Sequence, residues 1–266
     1  MNMIRVLIVA AALACIPTGI AICSDMTAAE AKDVFSSSMV FYDAGDYDKA
    51  ISVIADMVDA GFESGDLYYG LGNCYLKKDD IGRAILYYEA AKRFIPRDSA
   101  LAANEKYARL QMKQQDPASG RAAILRLIEG AFEYLTLGEL IILLDVIYYL
   151  MAACFIYFLF FTRLRNWLGA SFVLLLCGML LLTFPVNGKL RDYGSLAVVV
   201  APVVDARLEP DQEGDIVFPL YGGMKVCVLK TTKSWLKIKR LDDKVAWVKR
   251  DAVELIDCPR RRAVVY

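Results

Sequence analysis

Histidine is absent from all 266 residues of this chain. That removes the usual general base near neutral pH, the imidazole ligands of most zinc sites, and every Ser-His or Cys-His nucleophile arrangement. The seven cysteines form no CxxC pair and no other paired ligand spacing, which excludes a metal knuckle and a thioredoxin-type motif. An excess of either charge is also lacking. The 31 Lys and Arg balance 31 Asp and Glu, so no overall field draws nucleic acid. An enzyme would have to work with carboxylates, Lys, Tyr or Cys alone. The chain is therefore read as a non-enzyme, with no catalytic, cofactor-binding or metal-binding residue assigned and no cofactor expected.

What is present in excess is apolar sequence. The chain is 57% apolar with a mean hydropathy of +0.39, high for a soluble protein, and two runs account for much of it. Between residues 140 and 161 the sole formal charge is Asp145, and between 167 and 184 there is none. At about 1.5 Å of rise per residue, each run can cross most or all of a hydrocarbon core roughly 30 Å thick. Two transmembrane helices, residues 138–161 and 166–185, are expected to form a hairpin. The link between them carries Arg163 and Arg165 without an acid, whereas Glu129, Glu133 and Glu139 precede the first span. By the positive-inside rule the link is cytoplasmic, and the flanking regions lie on the other face, the periplasm in a bacterium.

Residues 1–23 read as a secretory signal peptide: Arg5, an apolar stretch over residues 6–16, then Pro17, Gly19 and Ala21. An uncleaved anchor and a lipid-modified Cys15 are the alternatives. All three export the chain from Ser24 onward, which agrees with the hairpin's orientation.

Residues 27–115 have a helical pattern that repeats. Tyr68, Leu71, Gly72, Tyr75, Ala84, Tyr88, Ala91 and Pro96 occupy the positions that define tetratricopeptide repeats. Small Gly72 and Ala84 let paired helices approach, the tyrosines fill the gap, and Pro96 stops the second helix. A weaker unit precedes it, with Phe41, Gly45, Tyr47 and Ala50 in register. This defines repeats at 31–64 and 65–98, followed by a capping helix that Asp98 or Ser99 would start. The concave face of such a stack would bind a protein partner through Phe35, Met39, Tyr42, Tyr69, Asn73, Lys77 and Asn104. Phe35 and Met39 replace the polar clamp that grips carboxyl termini, so a terminal-carboxylate ligand is not expected.

Residues 121–136 read as an amphipathic interfacial helix, with Arg121, Arg126, Glu129 and Glu133 at the polar positions. Asp145 inside the first span costs a few kcal/mol on insertion scales, so it is expected to be protonated, paired or turned toward a partner helix; a membrane-helix contact is the assignment, with snorkelling or protonation and transport as the alternatives. Gly169, Ala170, Ser171 and Gly178 in the second span favour close packing against the first helix or a partner.

Past Pro185 the composition changes to short strands, expected at 196–200, 216–220, 224–230, 235–240, 245–249 and 252–256. Residues 194–257 suggest a small closed barrel. The runs Leu220-Tyr221-Gly222-Gly223-Met224, Trp235-Leu236-Lys237-Ile238 and Ala246-Trp247-Val248 resemble a bacterial SH3-like domain. Cys227 and Cys258 are candidates for a disulfide in an exported domain.

The fold class expected is thus a multidomain membrane protein: all-α tetratricopeptide repeats, a two-helix transmembrane hairpin and a C-terminal all-β SH3-like barrel. This order resembles the E component of the Bat (Bacteroides aerotolerance) family over nearly the whole chain. The resemblance implies an envelope protein of the Bacteroidota type, in a bacterial inner membrane, with both flanking domains in the periplasm. It further implies partners among other Bat membrane proteins, some bearing von Willebrand A domains and one served by a MoxR-type ATPase, with a role in aerotolerance or stress resistance. It supplies no catalytic residues. The expected function is a membrane-anchored scaffold or adaptor whose two binding modules the hairpin holds near each other at high effective concentration. The alternative is a cell-wall sensor binding peptidoglycan through the SH3-like domain.

Overall fold

In the computed structural model, residues 28–112, 130, 132, 134–160 and 165–256 are described. The signal-peptide segment, nearly all of the amphipathic segment at 121–136, Arg163, and the Cys258 half of the suggested disulfide lie outside them. Among the described residues the chain forms seven α-helices and seven β-strands, in two compact units.

The larger unit begins with five helices: α1 (Ala28–Asp43), α2 (Tyr47–Asp59), α3 (Gly65–Lys77), α4 (Ile81–Lys92) and α5 (Ser99–Leu110). Four of their starts are set by short polar side chains that accept a backbone N–H three residues on. Asp46 accepts from Lys49 (3.3 Å), Ser64 from Leu67 (3.2 Å), Asp80 from Arg83 (3.0 Å) and Asp98 from Leu101 (2.7 Å). Consecutive helices pack against one another. Between α3 and α4 the approach is close enough that a Cβ on Gly72 would lie 2.5 Å from the Tyr88 ring. Tyr88 is fully buried there, beside Ala84 and Leu71.

The same unit ends in an antiparallel sheet of strands β1 (Leu196–Val199), β2 (Val203–Arg207), β3 (Ile216–Tyr221), β4 (Lys225–Thr231), β5 (Trp235–Arg240), β6 (Val245–Lys249) and β7 (Val253–Leu255), ordered β3-β2-β6-β5-β4-β1-β7. The closed barrel expected from the sequence is corrected to an open sheet, for the end strands β3 and β7 do not pair. Pro219 gives a physical reason. Gly222 N–H donates to Pro202 O (3.2 Å), and Val203 stands opposite Tyr221. Alternate residues of β3 therefore turn their N–H toward β2, and position 219 faces away from it. A proline there leaves the outer edge without a donor for a further strand. Strand β2 lies in a stretch where the sequence pattern indicates no strand.

The helices and the sheet share one apolar core, rather than forming the separate modules expected. Contact runs from α4 to β1. A Cβ on Gly82 would meet Val199 O and Val200 Cα at 2.9 Å, so only glycine lets the helix come this close to the strand backbone. Beside this contact lies a buried ionic cluster. Glu89 of α4 accepts from Arg109 of α5 (2.5 Å) and Lys225 of β4 (2.5 Å). Arg109 also binds Glu105 (2.8 Å), which in turn meets Lys92 (3.5 Å). Burial alone would raise the Glu89 pKa, but Lys225, Arg109 and Lys92 outweigh it and hold the carboxyl well below the usual carboxylate range.

The other unit holds α6 (Leu137–Phe160) and most of α7 (Arg165–Ser195). Each contains a stretch long and apolar enough to cross a membrane, Leu137–Phe158 and Trp167–Arg191, with only 6% of its most apolar window buried. Helix α7 continues through Pro185, where the sequence suggests an end, and reaches Ser195 directly before β1. The described contacts between α6 and α7 lie close to the link: Cys154 Sγ donates to Leu168 O (3.2 Å) and the Phe155 and Phe172 rings are 6.4 Å apart. Close packing of Gly169 and Gly178 against α6 is not found, since a Cβ at either would meet nothing within 4 Å in this chain.

Replacing Glu89 by Gln leaves two half-buried cations facing a neutral amide. The expected cost is about 3–5 kcal/mol of the larger unit's stability, with early proteolytic release of the sheet. Because the folded pKa of Glu89 is depressed, its contribution is complete above the unfolded value of about 4.3 and drains as pH falls below it. Thermal unfolding of parent and E89Q across pH 3–7 checks both points, and curves that superimpose at every pH would rule the contribution out.

Candidate functional site

Helix α3 carries Tyr69, Asn73 and Lys77 at intervals of four, so all three fall on one face. The caps at Ser64 and Asp98 fix where α3 and α5 begin, and thereby set Asn73 opposite Asn104. Asn104 Nδ2 donates to Tyr69 Oη (2.8 Å) and to Asn73 Oδ1 (3.0 Å). Tyr88 Oη donates to the same Asn73 oxygen (2.8 Å). The rings of Tyr69 and Tyr88 stand 6.0 Å apart. Asn73 Oδ1 thus accepts twice and Asn104 Nδ2 uses both protons. The Asn73 Nδ2 protons, Asn104 Oδ1 and the Tyr69 hydroxyl proton have no role in this network, leaving donors and an acceptor on one half-buried face.

Of the remaining residues assigned to this face, Phe35 and Met39 are half-buried and fold over α3. A Cβ on Gly70 would lie 3.3 Å from Phe35 Cε2 and 3.5 Å from Met39 Cε. Tyr42 meets Tyr47 edge to face at 5.5 Å. Burial raises the Tyr42 pKa, and the neighbouring Cys74, Tyr47 and Tyr69 raise it further. The structure therefore groups Tyr42, Tyr69, Asn73 and Asn104 around Cys74 and Tyr88, with Phe35 and Met39 as an apolar wall and Lys77 exposed at one end. Asp145 is exposed on α6.

Sequence reasoning placed Tyr88 in the core and missed its hydroxyl as a member of the network. The signal was available, because a buried tyrosine in place of phenylalanine usually has a partner for its O–H. Burial raises the Tyr88 pKa well above the ordinary tyrosine value, with Tyr69, Tyr42 and Cys74 adding to the effect, so the phenol stays a neutral donor. The Cys74 thiol is likewise pushed up to about 11 by burial.

A cavity of about 690 Å³ lies elsewhere in the same unit, at the seam between helices and sheet. It is lined by Lys78, Arg83, Met112, Tyr221 and Asp251 among others. Its two cations are engaged: Lys78 by Asp48, and Arg83 by Asp80 (2.8 Å) and Glu254 (4.0 Å). The face with unused amide groups is the better candidate, since its polar atoms are both fixed in position and available.

No family model, curated protein or solved structure matches this chain, so the reading of the site rests on its own residues.

Cys74 is expected to be inert. With the fold intact at pH 8, iodoacetamide should leave Cys74 untouched until denaturant is added, because the thiolate is the reactive form and burial disfavours it. Peptide mass spectrometry before and after denaturation reads the site, and rapid native labelling of Cys74 would contradict the burial described.

Proposed function

We propose that this protein is a membrane-anchored adaptor that takes an extended segment of a partner protein on the face formed by α1, α3 and α5. The observation that carries the proposal is the Asn73–Asn104 pair. Each amide spends one half of its hydrogen-bonding capacity on holding the other in place, and offers the remaining half outward. A donor and an acceptor held at fixed separation match the alternating C=O and N–H of an extended backbone, which recurs in every peptide whatever its sequence. Phe35, Met39 and Tyr42 would then supply the apolar contacts that give sequence preference. The tetratricopeptide-type register of the helices and the SH3-like motifs of the sheet support the same assignment.

The hairpin α6–α7 is taken as the anchor, with its Arg-containing link in the cytoplasm and the helices and sheet in the periplasm of a bacterial inner membrane. The resemblance to the Bat aerotolerance family suggests other membrane proteins of that complex as the partners. Docking near a shared bilayer would let a modest single-site affinity give firm assembly.

The test is a photo-crosslinking amino acid at position 77, exposed on the same face, in intact cells. Discrete membrane-protein adducts are expected from the parent. They should fall about tenfold or more in the double variant Asn73→Ala, Asn104→Ala, since each lost hydrogen bond weakens binding by about 1 kcal/mol or more. Adducts that persist undiminished, in a variant whose circular dichroism matches the parent, would dismiss this face as the docking site.

A further inference from the structure

The outer face of the sheet carries an arrangement that its folding does not require. Lys230 of β4 stands directly opposite Lys237 of β5, Lys237 opposite Trp247 of β6, and Trp247 opposite Arg207 of β2. In the adjoining row Trp235 is opposite Lys249. Burial alternates along β5 and β6, with Leu236, Ile238, Ala246 and Val248 turned into the core and these residues turned out. Two lysines facing each other across a ladder oppose strand pairing. Lys237 Nζ lies 5.8 Å from the centre of the Trp247 ring, and among the described residues Lys230, Lys237 and Lys249 have no acidic partner. Two acids share the face: Asp243, which is bound to Lys239 (2.6 Å), and Asp205 on β2. Cations therefore remain in excess, gathered around two indole rings.

We infer that this face binds anionic phospholipid headgroups of the bilayer in which the hairpin is anchored. The inference rests on the membrane reading of α6 and α7. Two features favour lipid over an acidic protein. First, Trp among Lys and Arg is the composition that settles at a headgroup layer, where the ring meets the acyl boundary and the cations meet phosphate. Second, the chain passes from the apolar stretch ending at Arg191 to β1 at Leu196 with only residues 192–195 between. Even fully extended at about 3.5 Å per residue, that tether keeps the sheet close to a membrane surface. Seating the face on phosphates would relieve the Lys230–Lys237 repulsion, and would hold the peptide-binding face at a defined height for a membrane-bound partner.

The test uses the full chain with Trp167→Phe and Trp235→Phe, so that Trp247 alone reports. It is reconstituted into nanodiscs of phosphatidylcholine, or of phosphatidylcholine and phosphatidylglycerol in equal amounts. Resistance to alkaline extraction reads the hairpin, and acrylamide quenching, with a neutral quencher that the lipid charge does not repel, reads the face. The expected result is a quenching constant about threefold lower in anionic discs than in neutral ones, restored by roughly 1 M salt, at which the screening length falls to about 3 Å. The further double change Lys230→Glu, Lys249→Glu should lose the protection, and the comparison between lipids made without it stands even if that variant fails to fold. Extractable protein would overturn the hairpin reading on which the inference rests. Stable incorporation with equal quenching in both lipids overturns the inference alone. Protection produced in neutral discs by soluble poly-glutamate, and absent with anionic lipid, overturns it in favour of an acidic protein ligand.

Discussion

A carboxylate removed from water is stable only where cations take the place of its hydration, and Glu89 meets that condition with groups from three elements. Arg109 reaches it from α5 and Lys225 from β4, while Glu89 itself belongs to α4. The bonds form only when all three elements are in position, so the charge cluster acts as a geometric test of assembly. An apolar junction between the helices and the sheet would tolerate sliding. An ionic one, backed by the close approach at Gly82, specifies a single arrangement.

The position of α5 links this cluster to the candidate site. Asn104 and Glu105 are neighbours on α5, one joined to Asn73 and Tyr69, the other to Arg109. Tyr88 and Glu89 are similarly adjacent on α4, one bonded to Asn73 and the other to Lys225. The sheet takes the α4 side of the helical stack, leaving the face of Tyr69, Asn73, Lys77 and Asn104 partly exposed. A face stabilised from behind in this way keeps its amides at fixed separation, which is what the proposed recognition of a backbone by position would demand.

Much of the local structure was legible in the sequence. Gly72 and Ala84 announced a close helix pair, and Asp98 marked a helix start, because those effects act over three or four residues; the caps at Ser64 and Asp80 emerged with the structure. Alternation in Trp235-Leu236-Lys237-Ile238 indicated a strand with one face inward. Tyr69, Asn73 and Asn104 were reached through the repeat register, and lie within one network. Less visible was β2, whose Val203-Val204-Asp205-Ala206-Arg207 has only Ala206 buried and so lacks a clean alternation. The open edge at β3 turned on which way the backbone of Pro219 faces, a matter of register between strands.

What the sequence by itself determined was the type and order of the elements other than β2: paired helices, two long apolar helices, then short strands around turns such as Gly222-Gly223. Periodicity, caps and glycine positions govern those, and all are properties of near neighbours along the chain. Only the tertiary structure decided that helices and sheet are one body, that Tyr88 contributes a hydroxyl to the site, and that Glu89 has Lys225 as its partner. Those facts depend on distances between groups far apart in sequence, where neither propensity nor spacing carries information, and where the requirement to satisfy each buried charge and polar atom selects one packing among many.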